Sequence, residues 1–153
     1  RWTADHGARL RAEFEKAVAG VTSALLTQLG TTPDAVGELY LGKVAMSRKD
    51  FHQANEHFER ALRIDPTLIE AHNARAVNYA QAGQVQDAID LATPLAQSHP
   101  EYAPIWYNLA WWYAIDLDNP AAAQPFYAEA RRLGVPPDPK LEKAIGRART
   151  ASN

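Results

Sequence analysis

Histidine, serine and acidic side chains are the groups in this sequence that could carry catalytic or metal chemistry. His52 and His57 are five residues apart, so on a helix they would point about 140° away from each other. His52 and Glu56 have the i, i+4 spacing of neighbours on one helix face, but two ligands on an exposed helix do not close a metal site. No serine lies in a G-x-S-x-G context, and no glycine-rich phosphate loop is present. We therefore predict no catalytic residue, no metal site and no cofactor.

Composition narrows the remaining classes of function. The 153 residues contain no cysteine, which excludes disulfides, thiol catalysis and cysteine-ligated zinc. The net charge is −2, with 16 basic and 18 acidic residues, so no concentrated basic field marks a nucleic-acid surface. No apolar run approaches the roughly 18 residues of a membrane helix. Because the chain begins with Arg1 rather than Met, we expect further sequence upstream, and a cytoplasmic or periplasmic location stays open.

A spacing of 34 residues organises the middle of the chain. Gly42, Ala76 and Ala110 are separated by this interval, and so are Pro66 and Pro100. A period of this length is typical of a helix–turn–helix unit, which cannot bury its apolar face alone and stacks on copies of itself. Small residues at these positions would let the two helices of one unit approach closely. The sequence therefore predicts an all-α solenoid.

The repeated residues resemble those of the tetratricopeptide repeat family. In that family the first helix carries Leu-Gly or Leu-Ala, and the second carries alanines around an aromatic residue before a closing proline. The first repeat here supplies Leu41, Gly42, Ala54, Phe58, Ala61 and Pro66. The third repeat stays in register only with one additional residue, which we place in the turn at 116–120. The resemblance implies three repeats, flanked by an N-terminal helix and a C-terminal capping helix.

Three parts of the chain follow from this pattern. Residues 1–34 contain an amphipathic segment, expected as one long helix over 4–29 that caps the repeats or mediates oligomerisation. Residues 136–153 should form a capping helix and tail, with Asp138 as its N-cap and Pro139 at its first position. The repeats lie between these segments, over 35–135, and divide into 35–68, 69–102 and 103–135.

The resemblance also implies a concave wall built from the first helix of each repeat. The predicted partner-binding residues on it are mostly aromatic or amide side chains: Tyr40, Lys43, Asn73, Val77, Tyr107, Asn108 and Trp111. Asparagine can fix a peptide backbone while tyrosine or tryptophan covers its side chains. Only Lys43 is basic, which argues against the Lys/Asn/Arg clamp with which some family members grip C-terminal carboxylates. Trp111 is the expected anchor, whereas Trp106 is expected in the core between helices.

These observations favour a non-enzymatic scaffold that binds a protein or peptide in the groove. The sequence leaves two alternatives open. One is a structural protein that assembles with copies of itself through repeat faces or the long first helix. The other is the non-catalytic interaction domain of a larger protein. Neither nucleic acid nor a membrane is an expected partner of this segment.

Overall fold

A computed structural model describes residues 9, 11–21 and 34–151, and all regular structure in this part of the chain is helical. Residues 11–21 form helix α1. The later helices are α2 (Ala35–Ser47), α3 (Phe51–Ile64), α4 (Ile69–Gln81), α5 (Val85–Ser98), α6 (Ala103–Trp111), α7 (Pro120–Arg132) and α8 (Pro139–Ala151), with a π-helical turn, Trp112–Asp116, after α6. Eight α-helices and no strand among the described residues confirm the predicted all-α class.

Acidic or amide side chains fix where several helices begin. The Asp34 carboxylate accepts the backbone N–H of Gly37 at 2.6 Å, ahead of α2. Asp50 and Asn119 cap α3 and α7 through the same i, i+3 contact. Asp138 accepts the N–H of Leu141 at 3.1 Å, ahead of α8. Each cap satisfies a backbone donor that has no partner within its helix, and the predicted cap and first position of the last helix are confirmed.

A residue in the left-handed backbone region stands between the helices of each pair. These residues are Lys49, Gly83 and Asp118, with φ of 62°, 87° and 49°. The first two follow one another by the 34-residue period, whereas Asp118 comes one residue late. The additional residue of the third repeat is taken up by the π-helical turn, where the N–H of Leu117 donates to the carbonyl of Trp112 at 2.9 Å. Its placement in the turn at 116–120 was therefore wrong, because the widened turn already begins at Trp112.

The chain divides into two compact units, 1–68 and 69–153. In the first unit α2 packs on α3, around the fully buried ring of Phe58. A Cβ added at Gly42 would lie 2.4 Å from Cε1 of this ring. The absence of a side chain at Gly42 is therefore what allows the two helices to approach, as the sequence pattern predicted.

In the second unit α4 pairs with α5 and α6 pairs with α7, while α8 packs on α7 and on the π-helical turn. Alanines at repeat positions are fully buried in these pairs: Ala76, Ala88, Ala110 and Ala123. Ile105 and Leu109 fill one core cluster, and Leu141 of α8 is buried with Tyr127 in another. The capping helix therefore shares a core with the last helix pair.

Of the long N-terminal helix expected over 4–29, residues 9 and 11–21 are helical, and the rest lies outside the described residues. Phe14 and Val21, both in α1, leave 70% and 58% of their surface exposed. Within the described ranges, no helix is both long and apolar enough to cross a bilayer. The same ranges contain no cluster of three or more potential metal ligands.

Candidate functional site

A cleft of about 350 Å³ opens in the second unit. Helix α4 contributes Val77, Ala80 and Gln81 to its lining, and the chain from α6 onward contributes Tyr107, Asn108, Trp111, Trp112 and Asp116. Residues from the two helices share this cleft because α4 and α6 occupy equivalent places in successive repeats. Val77 and Trp111 are separated by one 34-residue period, so each repeat brings the same helix position to the wall.

Two amides meet beside the cleft. Nδ2 of Asn108 donates to Oδ1 of Asn73 at 2.9 Å, which links α6 to α4. Both side chains are partly exposed, so each amide keeps donor or acceptor capacity beyond this bond. The pair can offer a peptide group one donor and one acceptor while the aromatic side chains supply apolar contact.

Tyr107 connects the cleft to the capping helix. Its ring centroid lies 6.3 Å from that of Trp111, and its hydroxyl donates to Oδ2 of Asp138 at 2.8 Å. Burial is the main cause that raises the pKa of Tyr107 to about 12, and the hydrogen bond to Asp138 acts in the same direction. The phenol is therefore a neutral donor at physiological pH, and its ring is held in one orientation.

Trp111 carries a cation on one face. Nζ of Lys140, in the first turn of α8, lies 4.8 Å from the Trp111 ring centroid. Asp116, at the end of the π-helical turn, lines the same cleft. Burial raises the pKa of Asp116, whereas the charge of Lys140 lowers it. Lys140 therefore lies over a ring of the cleft, and its charge acts on the pKa of a carboxylate of the cleft.

Five of the seven residues expected on the concave wall are thus brought together, namely Asn73, Val77, Tyr107, Asn108 and Trp111. Tyr40 and Lys43 lie on α2, in the other compact unit. There Tyr40 is 59% exposed, and Nζ of Lys43 lies 5.9 Å from its ring centroid. Their role in binding stays a prediction.

Trp106 does not occupy the core position expected for it. Its side chain is partly exposed, its ring lies 6.2 Å from that of Phe126, and its indole N–H donates to the carbonyl of Pro100 at 2.9 Å. The neighbouring Ile105 and Leu109 fill the core instead. An indole carries a polar N–H that needs a partner, and an edge position supplies one.

Comparison with known proteins identifies the fold family. Residues 45–110 match the family model described as a tetratricopeptide repeat. The crystal structure of the Sgt2 TPR domain from Aspergillus fumigatus superposes with a TM-score of 0.66, covering 77% of this chain and 78% of that one at 21% identity. The chain is therefore similar to tetratricopeptide repeats over residues 45–110 and shares the fold of such a domain.

A sequence relative carries the same kind of repeat. Stress-induced-phosphoprotein 1 of Caenorhabditis elegans is 31% identical over 58 residues, which amount to 38% of this chain. The matched segment covers only 18% of that relative. Tetratricopeptide repeats are a scaffold family for protein–protein interaction, and the similarity of this chain to that family covers residues 45–110.

Sequence reasoning missed a polar cluster within the first compact unit. Glu38 is only 5% exposed, and its Oε2 lies 2.7 Å from Nδ1 of His57 and 3.2 Å from Nε of Arg60. Glu38 occupies a position where the family usually places a large side chain, and that departure was the available signal. His57 and Arg60 lie three residues apart on α3, so both can reach the same carboxylate.

Proposed function

We propose that this chain is an adaptor module that binds an extended peptide or protein segment in the cleft between α4 and α6. The observation that carries the proposal is the joint lining of this cleft by Val77, Tyr107, Asn108 and Trp111. Large aromatic side chains dominate interface energetics, and polar groups beside them fix the register of the bound segment. No covalent chemistry is required of the chain.

The experiment compares partners that are captured by the wild-type chain and by Trp111→Ala. Removal of an aromatic side chain that becomes buried in the complex costs about 2 kcal/mol or more of binding free energy, which weakens binding roughly 30-fold. Ile64→Ala is the matched control, because Ile64 is 51% exposed and does not line the cleft. Quantitative mass spectrometry should find a partner that is lost with Trp111→Ala and retained with Ile64→Ala, while circular dichroism stays helical for both. If the wild-type chain and Trp111→Ala capture the same partners, the proposal is contradicted.

Self-assembly through α1 is the second candidate function. Phe14 and Val21 are seven residues apart on this helix, which places their exposed side chains on one face. Exposed apolar side chains that share a face often mark an association surface. Light scattering over a concentration series should then detect oligomers, and the double change Phe14→Ser with Val21→Ser should leave a monomer. A monomeric wild-type chain at micromolar concentration would exclude this candidate.

A further inference from the structure

The start of α8 holds Lys140 against the ring of Trp111, which is one of the residues that line the cleft. The side chain of Asp138 accepts the backbone N–H of Lys140 at 2.9 Å, and Pro139 occupies the first helical position. Together they fix the direction in which the Lys140 side chain leaves the helix. Its ammonium then lies over the Trp111 ring, at 4.8 Å from the centroid, within the distance at which the ring attracts a cation.

The cleft presents a carboxylate as well as a ring to this cation. Among the residues that line the cleft, Asp116 is the charged one, and it is acidic. The charge of Lys140 opposes the rise that burial causes in the pKa of Asp116. An indole face beside a carboxylate favours a lysine or arginine side chain over a neutral or acidic one.

We propose that the cleft contains a subsite for a cationic side chain of the bound segment, and that Lys140 occupies this subsite in the free chain as an intramolecular competitor. The inference rests on the proposed function, since it names which peptides the cleft prefers. The partner is an extended segment that presents lysine or arginine beside apolar residues. Those apolar residues contact Val77 and Tyr107, while the cation replaces Lys140 on Trp111 and approaches Asp116.

The competitor can be displaced because its contact is weak. Lys140 is an exposed residue, and a cation over an aromatic ring at an exposed site contributes little net free energy. The competing contact therefore lowers the affinity for a cationic partner by about two- to five-fold. The backbone bond from Lys140 to Asp138 does not involve the side chain, so removal of the ammonium leaves the helix cap in place.

The test uses capped nonapeptides on an array, with randomised flanks and a central lysine, N-acetyl-lysine or glutamate. The tightest lysine peptide and its two matched partners are then titrated by fluorescence anisotropy. We expect the lysine peptide to bind most tightly, the acetyl-lysine peptide less tightly and the glutamate peptide most weakly. Asp116→Asn should weaken the lysine peptide several-fold and leave the acetyl-lysine peptide unchanged, because only the former carries the charge that the carboxylate attracts.

Lys140→Gln is the decisive variant. It should tighten binding of the lysine peptide by about two- to five-fold. Lys143→Gln is the matched control, because it removes the same charge from an exposed position of α8 without the contact to Trp111; it should have no such effect. If Lys140→Gln and the wild-type chain bind the lysine peptide with equal affinity, Lys140 does not compete for the subsite and this part of the proposal is wrong.

The outcomes also separate this inference from the proposed function. If lysine and acetyl-lysine peptides bind equally well and both are lost in Trp111→Ala, the cleft is a peptide site without a cationic subsite. If no peptide of the array binds in a manner that depends on Trp111, both proposals fail.

Discussion

Tyr107 Oη lies 2.8 Å from Oδ2 of Asp138, and this hydrogen bond joins the wall of the cleft to the cap of α8. The other carboxylate oxygen of Asp138 accepts the N–H groups of Lys140 and Leu141. The backbone N–H of Asp138 donates to the hydroxyl of Tyr127 at 2.9 Å. One residue therefore begins the capping helix and orients an aromatic side chain of the cleft.

Loss of the Asp138 side chain should loosen α8. Asp138→Ala removes a helix cap and the acceptor of a phenol, so we expect the free energy of unfolding to fall by about 1–3 kcal/mol. Urea denaturation measures the change. Glu101→Ala, at an exposed turn, should change it by less than about 0.5 kcal/mol. Similar losses for the two variants would show that Asp138 contributes no more than a surface acid.

The same pair makes stability depend on pH in acid. The hydrogen bond from Tyr107 is the main cause that lowers the pKa of Asp138 from 3.8. Because the folded pKa is the lower one, the stabilisation is present above pH 3.8 and is lost as the pH falls through the folded value. Urea midpoints measured from about pH 5 to pH 2 should therefore fall less steeply for Asp138→Asn than for wild type. The pKa of Asp65 is also lowered, by Thr67, so part of the acid sensitivity should persist.

At high pH the dependence of stability on pH has the opposite sign, and stability falls as the pH rises. The pKa of Tyr107 is raised from 10.0 to about 12, mainly by burial. Its contribution to stability is complete below pH 10 and is lost as the pH rises through about 12, where the phenol ionises in the folded chain. Tyrosinate absorbance of wild type and Tyr107→Phe should differ only in the latest part of the titration. A difference that appears near pH 10 would contradict a partly buried, hydrogen-bonded phenol.

The repeat pattern predicted the fold because helix packing needs small residues at fixed intervals. Gly42, Ala76 and Ala110 stand where two helix backbones approach, so their spacing records the geometry directly. The need for one additional residue was also visible, since the alanines of the third repeat fall out of register without it. Its location was not, because a π-helical turn and a longer loop add the same number of residues.

The cleft was accessible from sequence only in part. The resemblance to tetratricopeptide repeats implied that Val77 and Trp111 lie on one wall, and both occupy the same position of their repeats. The contact of Lys140 with Trp111 depends on how α8 packs after the last repeat, and no period extends that far. Asp116 reaches the cleft through the π-helical turn, which the sequence did not locate. Interactions that cross from repeats to cap are therefore the ones that sequence reasoning missed.

Gly42 offers a direct test of helix approach. A methyl group at Gly42 would clash with the ring of Phe58, which is fully buried. We expect Gly42→Ala to lower the free energy of unfolding by about 1–3 kcal/mol. Gly146→Ala is the matched control, because nothing lies within 4 Å of the added Cβ. In the middle of α8 alanine should stabilise by about 0.5–1 kcal/mol, so opposite signs are expected in thermal denaturation.

The turns between helices give opposite predictions for Lys49 and Gly83. Both have positive φ, a conformation that glycine adopts without the steric cost that a Cβ brings. Lys49→Gly should therefore stabilise the chain by about 0.5–1 kcal/mol, and Gly83→Ala should destabilise it by about 1 kcal/mol. Both shifts can be measured by urea denaturation. A loss of stability in Lys49→Gly would show that the lysine side chain contributes more than its backbone strain costs.

Substitution of the buried Glu38 of α2 should lower stability much more than substitution of the exposed Glu56 of α3. Glu38 is the acceptor for His57 and Arg60, and its side chain is 6% exposed. Glu38→Ala leaves the mostly buried imidazole of His57 without its carboxylate, so we expect a loss of about 2–3 kcal/mol. Glu56 forms a similar pair with His52 at 3.5 Å, but their side chains are 51% and 89% exposed. Glu56→Ala should cost less than about 0.5 kcal/mol, because water already solvates both partners. Chemical denaturation of both variants measures the two losses of stability. Comparable losses would mean that burial of the Glu38 carboxylate contributes nothing to the stability of the fold.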